Sequence, residues 1–175
     1  MTNITFYPYG NANEKELSNG TWVFTCQHGI NECKGNMVET CMEFITNFDQ
    51  NKWVNFVIDL EKNSCRQDNY KYAQTLLDTG NYSVTWQEMD ACINGPGNGY
   101  EHQMALWTAP THHQYTPWLV VNGKANPTGA SSDILRYSCQ VYEAQGSECR
   151  NDACTRYRNE NYEPFCYNTN IGYIH

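Results

Sequence analysis

Residues 26–41 read CQHGINECKGNMVETC, three cysteines separated by six and seven residues, with a His-Gly pair just behind the first. Such a cluster has three readings: a metal site, a reactive centre or a structural clasp. Cys26, His28, Cys33 and Cys41 offer the ligand types that zinc takes. Structural zinc sites, however, present tight C-x₂₋₄-C knuckles, and no C-x-x-C pair occurs anywhere in the chain, so no metal is expected. A Cys-His nucleophile would draw on His28, His102, His112 or His113, and the residues around the cysteines match no known nucleophile context. Disulfide bonding is the favoured reading.

The residues that follow support it. Met37, Val38, Cys41, Phe44, Ile45 and Phe48 fall at i, i+1, i+4, i+7, i+8 and i+11, a single apolar stripe of an amphipathic helix that turns Cys41 inward. A bridge from this region to a distant cysteine would pin helix to body and contribute about 2–4 kcal/mol.

Upstream, Ile4 and Phe6 before Tyr-Pro-Tyr-Gly read as a short strand, followed by a polar loop to about Gly20 and a second short strand at 21–25, TWVFT. Downstream, WVNFVIDL (53–60) is apolar on both parities, and periodicity leaves strand and helix equally open. Helices are expected around Tyr72, Ala73, Leu76 and Leu77, stopped by Gly80, and from Thr85, where Thr-Trp-Gln-Glu forms a capping box before Met89, Cys92 and Ile93. Another should pass through Met104 and Trp107. TPWLVVNGKA then gives a strand from Trp118 to Val121 and an Asn122-Gly123 hairpin turn. Ser131-Ser132-Asp133 caps a last helix with Ile134, Leu135, Ser138, Val141 and Tyr142 inward, and Gly146 stops it.

A chain of 175 residues suits one domain with a real core. Nine cysteines, far more than an ordinary cytosolic enzyme carries, point to an oxidising compartment. N-x-S/T sequons at Asn3, Asn19 and Asn81 agree with a secretory route and are the candidate glycosylation sites. Residues 1–10 have neither the basic start nor the apolar stretch of a leader, so the expectation is that any targeting segment lies outside this chain. No segment approaches the apolar run of about 20 residues that crosses a bilayer as a helix, and no membrane insertion is expected. A net charge of −8 with only 11 scattered Lys and Arg argues against nucleic acid as a partner.

The pattern C-Q-H-G-x-x-E-C-x-x-N-x-x-x-x-C, filled by Cys26, Gln27, His28, Gly29, Glu32, Cys33, Asn36 and Cys41, resembles the signature of the gamma-interferon-inducible lysosomal thiol reductase (GILT) family. Tyr9-Gly10-Asn11-Ala12 is similar to that family's Y-G-N-A. Tyr115-Thr116-Pro117-Trp118 with Val121-Asn122-Gly123 is similar to its Y-V-P-W…V-N-G. The likeness covers roughly residues 3–145, a GILT-like domain (1–145), and leaves 146–175 as a polar, tyrosine-rich tail held by Cys149, Cys154 and Cys166.

The resemblance implies an α/β, thioredoxin-like fold with a helical insertion and disulfide bracing. It also implies reduction of disulfides in endocytosed proteins at lysosomal pH, without a cofactor. In the family a C-x-x-C pair after the first strand does the chemistry, and a cis proline, for which Pro117 is the match, seats the substrate chain beside Thr116. The signature cysteines are then structural. That pair should precede Y-G-N-A by a few tens of residues, so the expectation is that the first strand, the active-site helix and both catalytic cysteines are missing, with no catalytic residue in this chain. Asp59 also stands where the family commonly carries a cysteine. Two functions follow: a lysosomal or secreted thiol-disulfide oxidoreductase acting on disulfide-containing polypeptides, or a non-catalytic relative that binds extended polypeptides through the Pro117 surface.

Overall fold

The computed structural model describes residues 3–62 and 68–125, together with residues 137, 141 and 144. These form two compact units that divide between His112 and His113. The boundary expected at residue 145 lies outside the described residues.

The first unit is helix-rich. It opens with an antiparallel hairpin, β1 (Asn13–Glu16) and β2 (Trp22–Thr25), in which Glu14 faces Phe24 and Glu16 faces Trp22. Five helices follow: α1 (Ile30–Ile45), α2 (Gln50–Glu61), α3 (Asn69–Thr79), α4 (Trp86–Ile93) and α5 (Gly97–Thr108), closed by a 3₁₀ turn at Ala109–Thr111. The second unit contributes a two-residue hairpin, β3 (Val120–Val121) with β4 (Lys124–Ala125). Asn122 and Gly123 at its tip both have positive φ, 50° and 77°, the conformation a two-residue hairpin turn requires.

α1 is the central helix, contacting α2, α3, α4, α5 and β2. Its apolar stripe understates its burial. Val38, Cys41 and Met42 are fully enclosed, but so are Thr40 and Glu43, and Glu39 is only 5% exposed. A helix surrounded on all sides buries its polar positions as well, and an apolar-stripe reading does not register them. Phe48, counted as the end of the stripe, lies beyond the helix with φ 59° and is exposed, packing edge-on against Phe44.

The segment left open at 53–60 is helix α2. Trp53, Phe56, Val57 and Leu60 are buried at i, i+3, i+4 and i+7, whereas Ile58 stays half in solvent and supplied the misleading parity. Asp49 caps it, accepting from Asn51 N at 3.1 Å. The capping box at Thr85 is present, with Glu88 returning to the Thr85 amide, and Gly80 ends α3. Three expectations are corrected. Ile4 and Phe6 form no strand; Ile4 N donates to Gln50 Oε1 at 2.9 Å and Phe6 stacks on Trp53, so the segment lies against α2 with the Phe6 ring packed on it and the Ile4 side chain half exposed. The stretch read as a polar loop to Gly20 contains β1, whose strand state depends on its pairing with β2. The strand expected from Trp118 covers only Val120–Val121. Of the helix expected from Ile134, Tyr137, Val141 and Ala144 are helical and the rest lies outside the described residues.

Candidate functional site

β2 delivers the chain to Cys26, which is buried, and a turn carries it into α1. Gly29 N donates to the Cys26 carbonyl at 3.2 Å, with Gly29 at φ 92°, in the left-handed region where a Cβ would be strained. The first turn of α1 then brings Cys33 back over Cys26, and the two are joined by a disulfide with a Cα–Cα distance of 5.6 Å. Glu32 lies in that first turn, where a carboxylate complements the helix dipole. It accepts from the His28 amide and lies 3.2 Å from His28 Nδ1.

Asn36, one turn on, donates through Nδ2 to the Tyr9 carbonyl at 3.3 Å and lies 4.0 Å from Cys26 Sγ. Asn11 Nδ2 donates to Gln27 Oε1 at 2.9 Å. The Tyr9–Ala12 segment is therefore hydrogen-bonded to the cysteine-rich turn. Tyr9 itself is buried, edge-on to Phe24, and its phenol is pushed up to about 12 by burial and by the nearby Glu14 and Glu101 carboxyls. Further along α1, Cys41 is bonded to Cys92 of α4 across 51 residues of sequence.

The two S–S bonds tie the turn after β2 to the first turn of α1, and α1 to α4. His28 is an exposed turn residue; His102 is paired with Glu14 Oε1 at 2.9 Å and stacked on Trp22; His112 lies at the left-handed turn after the 3₁₀ segment. Asn3, Asn19 and Asn81 are all exposed. In the second unit, Thr116 and Pro117 are exposed and joined by a cis peptide bond, with the Tyr115 and Trp118 rings edge-on beside them. Cys149, Cys154 and Cys166 lie outside the described residues.

Two features were not read from the sequence. Cys92 was placed on a buried face but not matched to Cys41, because spacing carries no pairing information. The Glu14–His102–Trp22 contact joins residues up to 88 positions apart, and no local pattern marks it.

The bridged turn, the docked Tyr9–Ala12 segment and the helix-rich body define a disulfide-braced, mixed helix-and-hairpin domain. Residues 1–77 match the family model described as gamma interferon inducible lysosomal thiol reductase (GILT). The chain is 36% identical over 158 residues to the gamma-interferon-inducible lysosomal thiol reductase of Mus musculus, covering 89% of itself and 59% of that protein. It is 33% identical over 151 residues to the protein of the same name from Carassius auratus, covering 83% and 57%. A gamma-interferon-responsive lysosomal thiol protein of Arabidopsis thaliana is 28% identical over 152 residues. The chain thus matches the GILT family model over residues 1–77 and is similar to proteins named for that family over most of its own length. It spans under three fifths of the length of these relatives, and the mouse alignment reaches past residue 145 into the segment expected to be an unmatched tail.

Proposed function

We propose that this chain is the body of a thioredoxin-like thiol-disulfide oxidoreductase of the GILT type, acting on disulfide-containing polypeptides in the lysosomal or secretory route. The observation that carries this reading is the joint between two separate family motifs: Asn11 on Gln27, and Asn36 bridging the Tyr9 carbonyl and Cys26, beside the Cys26–Cys33 bond. Residues that serve no common structure would have no reason to meet. The names of the relatives support the activity and the lysosomal route.

Reduction of a substrate disulfide needs an attacking thiolate and a second thiol to resolve the mixed disulfide, the pair ending oxidised and the substrate as two thiols. The Cys26–Cys33 and Cys41–Cys92 bonds are structural in this reading and supply neither. In this reading the 175 residues are scaffold, Thr116 and Pro117 help to seat the polypeptide, and a C-x-x-C segment supplies the chemistry. The test joins a family-type strand, C-x-x-C and helix to the N-terminus and follows reduction of a disulfide-linked protein at about pH 5. Turnover by the joined protein, lost on changing both added cysteines to serine, supports the reading. Equal turnover by the chain alone overturns the assignment of roles. Binding of unfolded polypeptide without turnover by either form favours the non-catalytic alternative.

A further inference from the structure

We propose that Glu39, Glu43 and Glu101 lock the first unit to acid: as neutral carboxyls they hold α1 in its central place, and their ionisation loosens the fold as the medium turns alkaline. The inference concerns the stability of the body and stands apart from the redox reading.

Among the described residues, these carboxyls are enclosed without a cation. Glu39, Glu43 and Glu101 are 5%, 1% and 2% exposed, the first two one turn apart on α1 and the third on the adjoining α5. Thr40 Oγ1 donates to Glu101 Oε2 at 2.6 Å, whereas Glu39 Oε1 and Glu43 Oε2 are buried with no hydrogen-bond partner among the described residues. Among the described residues, the titratable groups that bear on them are acids and phenols: Glu61 from α2, hydrogen-bonded to Glu39; Glu14 from β1, near Glu101; and Tyr9 and Tyr70, near Glu101. The acids of α4 are turned elsewhere, Glu88 to its cap and Asp90 to Asn94, and β2 carries no charged residue. The lysines of the described ion pairs are committed to other acids, Lys34 to Asp68, Lys52 to Asp49 and Lys62 to Asp59, and the His28 and His102 rings lie against Glu32 and Glu14.

A buried carboxylate without a cation to balance it is expensive, and the usual escape is to keep the proton. Burial pushes Glu43 and Glu101 up to about 8; burial, then the neighbouring Glu61, drives Glu39 well above the carboxylate range. A carboxyl raised on folding binds more protons in the native than in the unfolded chain. Its contribution is therefore complete below the ordinary value of 4.5 and is lost as pH rises through about 8.

The experiment is urea unfolding of the whole chain, disulfides intact, at pH 5, 6.5 and 8. Infrared spectra at pH 6.5 report protonated carboxyl C=O. The expected result is an unfolding constant at least about a hundredfold larger at pH 8 than at pH 5. Glu43→Gln and Glu101→Gln should each flatten that rise, and the exposed Asp78→Asn should leave it unchanged. A protonated carboxyl band should be present at pH 6.5. An unfolding constant that is flat or falls from pH 5 to 8, or the absence of that band, overturns the proposal, and both readouts need only the unsubstituted chain.

Discussion

Asn98 turns both ends of its carboxamide onto the backbone of Trp22: Nδ2 donates to the carbonyl at 2.8 Å and Oδ1 accepts from the amide at 2.9 Å. One side chain at the start of α5 thus extends the hydrogen bonding of β2 on the side where the hairpin has no third strand among the described residues. Asn98→Ala leaves a part-buried donor and acceptor unmet and should cost about 2 kcal/mol in urea unfolding. Asn98→Asp keeps the acceptor only and should fall between alanine and the native residue. Equal stability of all three would show that water replaces the side chain at no cost.

The Cys41–Cys92 bond holds the central helix to α4. Changing both to alanine should lower stability by about 2–4 kcal/mol, read from the urea midpoint. The same spot has no spare room. A Cβ on Gly97 would lie 2.8 Å from Met37 Sδ and from the Cys92 carbonyl, and 3.1 Å from Cys41 Sγ. Gly97→Ala should therefore cost about 1–3 kcal/mol through overpacking, as the same measurement would show.

Asp59 holds its carboxyl below the usual range through a hydrogen bond from Lys62 Nζ at 2.6 Å and another from the Tyr82 hydroxyl at 2.6 Å. A depressed carboxyl stabilises above its unfolded value of 3.8 and loses that contribution as pH falls through the folded value. Tyr82→Phe should accordingly destabilise at pH 6, by under about 1 kcal/mol because the carboxylate is solvent-screened. The difference should fade on acidification. A penalty independent of pH would assign the effect to packing against Phe56 instead.

Expression through a eukaryotic secretory pathway should add glycans at the exposed Asn3, Asn19 and Asn81, seen as a mass loss on enzymatic deglycosylation and removed site by site by Asn→Gln. Asn19 uses Oδ1 to accept from Thr21 N and Oγ1, which leaves its Nδ2 for the sugar.

Much of the helical framework was written locally. The Thr85 capping box, Gly80 and the Asn122-Gly123 tip act over a few residues, so a local pattern determines them. The environment of α1 was not. Met37, Val38 and Cys41 declare one buried face, but Glu39 and Glu43 are buried because four other helices surround them, and that crowding is a property of the assembled body. β1 is hidden for the same reason, since Asn13–Glu16 carries no strand composition and is a strand only opposite β2. In the site, the docking of Asn11 on Gln27 was visible only as two motifs that share a family. Their contact is three-dimensional.

The buried bond between Cys41 and Cys92 also bears on survival among proteases. Asp78, Thr79, Gly80 and Asn81 form an exposed run between the two cysteines, open to cutting. A cut there separates the peptide backbone but not the molecule: the two pieces remain tethered, with Cys41 fully enclosed and Cys92 only 5% exposed. Such a nicked form would run as one species on a non-reducing gel and as two after reduction. A protein proposed to break other proteins' disulfides would keep its own wholeness in one that passing thiols do not reach.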